Sequence, residues 1–137
     1  CFRQFRVQNN AVTYTLSSNQ SSVGVMQINE HIWRGVYNIK QLRWNIGYNS
    51  QAGCEIMALY LRDYLLREES PGDFTTPPGQ RFLAGWLYAL YNGGPGQTKP
   101  FLQRYKNDKL FRAEQLFLAK FDAVVAGEWA NLVRCLP

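Results

Sequence analysis

The segment RVQNNAVTYTLSSNQSSVGVMQIN, Arg6 to Asn29, is crowded with groups that hydrogen-bond and holds no carboxyl group. Its amides, including Gln8, Asn9, Asn10 and Gln27, and its hydroxyls, Ser17 and Ser18 among them, can orient a polar substrate. An amide does not give up a proton, so Gln8 and Gln27 suit binding and not general acid catalysis. The first carboxylate of the chain is Glu30, three residues past Gln27. On a helix that spacing places both on nearly one face. Glu55 is a second candidate acid, and His31 is the chain's single histidine. A solvated helix charge is the simpler expectation for the carboxylates, and a surface position for His31. A further polar pair, Tyr91 and Asn92 in ALYNGGPGQ, follows a long apolar run. Asparagine before two glycines also serves simply to end a helix.

The three cysteines, Cys1, Cys54 and Cys135, have no zinc-site spacing. No metal and no cofactor is expected. Cys54 lies in an apolar helical stretch, where a small buried thiol is the ordinary outcome. Cys1 and Cys135 stand near the two ends, and a bridge between them would fit an oxidising compartment.

These groups need elements to hold them. Phe2, Phe5 and Val7 stand near helical spacing in CFRQFRV, with no room for an N-cap, so residues 1–9 read as the tail of a helix. The chain opens there without a starting methionine and is expected to be a piece of a longer one. Residues 10–23 read as a loop. Residues 25–36 read as a short helix, with Ile28, Ile32 and Val36 four apart and Met26 and Trp33 beside them. Residues 38–50 read as irregular. Residues 51–67 read as a strong helix, with Ile56, Tyr60 and Tyr64 in one row and Met57, Leu61 and Leu65 in the next. REESPGDFTTPPG reads as a surface loop. Residues 80–91, containing RFLAGWLYALY, read as a buried helix that NGGPG ends. Residues 99–106 and 109–126 supply further helices. The four tryptophans, Trp33, Trp44, Trp86 and Trp129, are expected in the core. No two alternating runs are long enough for a sheet, so the expected class is all-α.

With 137 residues, 46% of them apolar, the chain is long enough for one domain, 1–137, with a real core. No apolar run reaches the roughly 18 residues of a membrane span. The net charge of +5 is spread thinly. A solvated surface explains it; so does a basic face toward an anionic polymer, nucleic acid or bacterial wall. A helical nucleic-acid binder would cluster Arg and Lys on one helix, and no such cluster is found.

Three stretches in order, SSVGVMQIN (Ser21 to Asn29), NIGYNSQAGCEIMALYL (Asn45 to Leu61) and ALYNGGPGQ (Ala89 to Gln97), resemble the lytic transglycosylase family, which is related to goose-type lysozyme. That family shows a Glu-Ser pair on a helix. About 18 residues on comes G-L-M-Q, then N-x-x-x-G-x-x-Y-L on a helix, then A-Y-N-x-G-P-G. IWRGVYNIKQL (Ile32 to Leu42) resembles a stretch found in one branch of it. Each motif alone is weak; their common order and spacing over residues 6–97 is specific.

The resemblance implies a lysozyme-like helical fold and cleavage of the bond between N-acetylmuramic acid and N-acetylglucosamine in peptidoglycan. One glutamate protonates the leaving oxygen, and the muramoyl C6 hydroxyl closes on C1 to leave a 1,6-anhydro end. No second carboxylate is needed, an exception to the two-carboxylate scheme. It further implies a bacterial protein, periplasmic or secreted. The partners it implies are peptidoglycan glycan strands or muropeptides, and not nucleic acid. A monomer is expected. Counting back from Gln27, the glutamate's place falls on Gln8, or on Asn9 with a one-residue loop difference. Ser18, or Ser17, matches the serine near the acid. Gly24, Met26 and Gln27 match G-L-M-Q, and Tyr91 and Asn92 match A-Y-N. Phe121 matches a late tyrosine and lacks its hydroxyl. Met26 could equally be a core residue, and Gln27 a surface amide. Two origins for Gln8 stay open: a Glu→Gln change in an active enzyme, or a natural protein that binds peptidoglycan without cleaving it.

Overall fold

The computed structural model describes residues 21–66 and 72–130 in full, and residues 5–8 and 11–14 by their backbone. The described chain is mostly helical, with two small antiparallel hairpins, and divides into two compact units. The first unit runs through Ile56, the second from Met57.

The first unit opens with a departure from expectation. Residues 5–8 are a strand, β1 (Phe5–Gln8), paired with β2 (Ala11–Tyr14) in the register Phe5↔Tyr14 to Gln8↔Ala11. The helical reading of residues 1–9 is therefore wrong at its core, and so is the loop reading of residues 11–14. The physical reason lies in FRVQ and AVTY, which put β-branched Val7 opposite Val12 and β-branched Thr13 opposite Arg6. Asn9-Asn10 separates the strands by two residues, the commonest hairpin spacing.

A second hairpin, β3 (Ser22–Val23) with β4 (Ile28–Asn29), encloses the turn Gly24–Gln27. Ile28 is buried in that hairpin, while Ile32 and Val36 are 69% and 68% exposed. The expected helix over residues 25–36 shrinks to α1 (Glu30–Trp33), started by Asn29, whose side chain accepts from the His31 and Ile32 amides. The four-residue spacing of the three apolar side chains was coincidence. Residues 38–50 are not irregular: Asn38 caps α2 (Ile39–Trp44), and α3 (Ile46–Tyr60) starts two residues later. Val23, Ile28, Leu42, Ala52 and Ile56 form the buried apolar set of this unit.

The second unit begins as α3 ends in a π-helical segment, Leu61–Leu65, where the Leu66 amide reaches back to the Leu61 carbonyl. Tyr60 and Leu65 are buried, while Tyr64 is exposed. Thr76 caps α4 (Pro77–Gly93), and Pro77 and Pro78 occupy the first turn, where the missing amide hydrogen costs nothing. The helix thus starts inside the proline-rich stretch read as a loop. α5 (Thr98–Lys106) and α6 (Arg112–Val125) follow as expected. Gly85 lets the helices close: a Cβ there would stand 3.1 Å from Leu118 and 3.2 Å from Phe101. Phe82 is the hub of a ring cluster with Phe74, Trp86, Phe101 and Tyr105.

Of the four tryptophans, Trp86 is fully buried and Trp33 half-buried, but Trp44 and Trp129 are exposed. Cys54 is also exposed, which corrects the buried thiol; it lies on the outer side of α3, next to buried Gly53. A thiol reagent should therefore label Cys54 in the folded protein without denaturant, and Cys54→Ser should remove that reaction. Mass mapping of the labelled peptide checks this. The bridge expected between Cys1 and Cys135 lies outside the described residues. Among the described residues no helix is long and apolar enough to cross a membrane.

Candidate functional site

The turn Gly24–Gln27 is the best-built part of the candidate site. Gly24 has φ +73° and Gln27 φ +51°, both left-handed. For glutamine that backbone is uncommon, so neighbouring bonds must hold it there. The Gln27 amide donates to the Gly24 carbonyl at 3.2 Å, and its side-chain Nε2 donates to the same oxygen at 2.9 Å. The Glu30 amide donates to the Ser21 carbonyl at 2.8 Å and closes the base of the hairpin.

The turn is pinned to α3 by Asn49. This side chain is fully buried and uses both ends. Its Oδ1 accepts from the Met26 amide at 2.9 Å. Its Nδ2 donates to the Val23 and Leu42 carbonyls, each at 3.1 Å. One amide thereby joins the hairpin, α2 and α3, and satisfies three main-chain groups inside the unit. A side chain at position 24 would collide with the Asn49 amide, so Gly24 is needed for space as well as for its backbone. One turn further along α3, Gly53 leaves room for Met26: a Cβ there would stand 2.6 Å from the Met26 Cγ. Met26 is half-buried and fills that gap.

Gly24, Met26 and Gln27 are therefore brought together, with Asn49 and Gly53 as supports that sequence reading did not single out. The signal was present in NSQAG, where Asn49 and Gly53 stand four apart and so share a helix face. Gln8 ends β1, so it lies on a strand where the resemblance implied a helix. Ser18 and its alternative Ser17 lie outside the described residues. In the second unit Tyr91 is half-buried and Asn92 exposed on the last turn of α4. The helix stops there because Gly94 turns to φ +80° while its amide donates to the Leu90 carbonyl at 2.7 Å. Phe121 is half-buried on α6.

The alternative acids are committed elsewhere. Glu30 is 7% exposed, not the solvated charge expected. Arg43 grips it with Nε on Oε2 at 2.7 Å and Nη2 on Oε1. Those hydrogen bonds hold its carboxyl below the ordinary glutamate value, against the opposing pull of burial. A general acid needs the opposite shift. Glu55 is exposed and accepts from the Tyr37 hydroxyl at 3.0 Å and from Gln51 Nε2 at 2.8 Å. Burial, with the Glu55 carboxylate next in effect, pushes the Tyr37 hydroxyl up to about 12. His31 is exposed. Among the described residues no group of three His, Cys, Asp or Glu could hold a metal ion.

The Glu30–Arg43 pair has a measurable signature. A carboxyl whose folded pKa lies below its unfolded one stabilises the fold fully above the unfolded value, near 4.5, and loses that contribution as pH falls through the folded value. Urea midpoints of the native chain and Glu30→Gln should differ by a constant amount above that pH and converge below it. A difference that stays constant down to pH 2.5 would mean that the pair does not exist in solution.

Comparison of this chain with protein-family models, with curated proteins and with solved structures finds no match.

Proposed function

We propose that this chain is a peptidoglycan-binding domain of the lytic transglycosylase kind, lysozyme-like in fold. Gln8 stands where the acid would cleave the muramoyl bond. The observation that carries the reading is the ordered set Gln8, Gly24-Val25-Met26-Gln27, Asn49-x-x-x-Gly53 and Tyr91-Asn92. The geometry supports it at one point: the residues of the second and third motifs serve each other, Asn49 holding the Met26 amide and Gly53 making room for the Met26 side chain. The strand at residue 8 departs from the helix of the resemblance, so the place of Gln8 rests on its spacing from Gln27.

In this reading the exposed Asn92 side chain hydrogen-bonds glycan hydroxyls and acetamido groups. Gln8 can hydrogen-bond the glycosidic oxygen without protonating it, so the strand is held and barely cut. The parent activity is that of an enzyme with glutamate at position 8. A second reading, a natural binding protein, is favoured by Phe121, which lacks the hydroxyl that would reach toward an acid.

Retention on purified peptidoglycan sacculi and on immobilised DNA, across one salt series, tests the proposal. The chain should stay on sacculi at salt that strips it from DNA, because contacts with phosphates weaken steeply with salt. Release from sacculi at low salt, with retention on DNA, would overturn it.

A further inference from the structure

The geometry points to Gln97, Arg104 and Glu114, all in the second unit, as the device that positions Asn92 for glycan. This inference rests on the function proposed above.

Asn92 sits on the last turn of α4, and the four residues that follow it are Gly93, Gly94, Pro95 and Gly96. Three of them bring no side chain to fix the loop. What fixes it comes from the residues just beyond. The Thr98 hydroxyl donates to the Pro95 carbonyl at 2.8 Å, and the Gln97 amide donates to the Gly94 carbonyl at 3.0 Å. The Gln97 side chain folds back over the helix end: a Cβ on Gly93 would stand 2.6 Å from its Cγ. Its Oε1 accepts from Arg104 Nη2 at 3.1 Å.

Arg104 is itself held on several sides. Its side chain is 14% exposed and that of Glu114 5%. Arg104 Nε donates to Glu114 Oε2 at 3.2 Å, and Nη2 donates to Oε1. The guanidinium lies 4.1 Å from the centre of the Phe111 ring. Glu114 Oε2 also accepts from the Phe111 amide at 2.8 Å, which anchors the start of α6. One planar guanidinium thus ties the start of α6 to the side chain that covers Gly93, beside Asn92. A lysine could not serve both partners in that fixed geometry. The ion pair with Glu114 is complete without Gln97. The link to Gln97 is the part that reaches the loop, and it fits a positioning role.

Gln97→Met keeps the length and the packing over Gly93 but deletes the acceptor. Gln97→Glu restores an acceptor. Both leave the Arg104–Glu114 pair in place, so neither should unfold the domain. Calorimetric titration with a muropeptide of several sugars should show affinity weaker by about 3- to 10-fold in Gln97→Met, the worth of one hydrogen bond, and within about twofold of native in Gln97→Glu. Hydrogen exchange should be faster at the Gly94 and Gln97 amides of Gln97→Met, and unchanged along α6. If Asn92→Ala loses binding while Gln97→Met binds as the native chain does, the positioning role is wrong and the function proposed above stands. If the native chain and every variant fail to bind, that function is wrong and the positioning role falls with it.

Discussion

Gln8→Glu should convert this chain from a binder into an enzyme. In the proposed chemistry the nucleophile would be the muramoyl C6 hydroxyl, supplied by the substrate. The missing group is the one that would protonate the glycosidic oxygen as its bond to C1 breaks and then, as a carboxylate, take the C6 hydroxyl proton as that oxygen closes on C1. Loss of a general acid costs about 10²- to 10⁴-fold, so the native chain should be slower than Gln8→Glu by at least about a hundredfold. Release of soluble muropeptides from sacculi measures the rate, and mass spectrometry of the new ends identifies the product, expected to be 1,6-anhydro. A folded Gln8→Glu that binds muropeptide and releases nothing would leave the binding-protein reading in its place.

Asn49→Ala should be the most damaging single substitution in the first unit. It removes no charge and little volume. It strands the Met26 amide and the Val23 and Leu42 carbonyls, all bonded to that one side chain. Each buried polar group left without a partner costs about 1–3 kcal/mol, so a loss of about 3–5 kcal/mol is expected from the set. Urea unfolding should show it. Asn49→Asp should also fail to rescue, since a carboxylate can accept from Met26 but cannot donate to two carbonyls. A loss under about 1 kcal/mol for Asn49→Ala would mean that the turn is held by something else.

The parts of the fold that were legible in the sequence are those in which neighbours in sequence decide the outcome. RFLAGWLYALY is apolar for three turns and ends at NGGPG, and α4 follows it closely. α5 and α6 lie within three residues of their expected bounds for the same reason. The failures have a common source. Ile28, Ile32 and Val36 have helical spacing, but Ile28 belongs to a hairpin whose partner is five residues upstream, at Val23. FRVQ carries apolar residues compatible with either period, and only its pairing with AVTY settles the matter. Pro77 and Pro78 punctuate a loop in one context and open a helix in another; Thr76 just before them was the deciding cap.

The candidate site divides the same way. Gly24, Met26 and Gln27 were readable as a motif, and the structure places them in one turn. That Asn49 supports the turn was not readable, because its two partners in the hairpin, Met26 and Val23, lie 23 and 26 residues away along the chain. The sequence reads Glu30 as a solvated acid because its partner, Arg43, stands 13 residues on, beyond any helical spacing. Buried polar side chains are chosen by what the fold brings to them, and that information is spread over the whole unit.

The central claim is that this chain binds a peptidoglycan strand. Calorimetric titration of the native chain with a muropeptide of several sugars tests it most directly. Saturable binding is expected, weakened in Gln27→Ala and in Asn92→Ala, with both variants folded. Absence of binding, or binding that both substitutions leave unchanged, would contradict it.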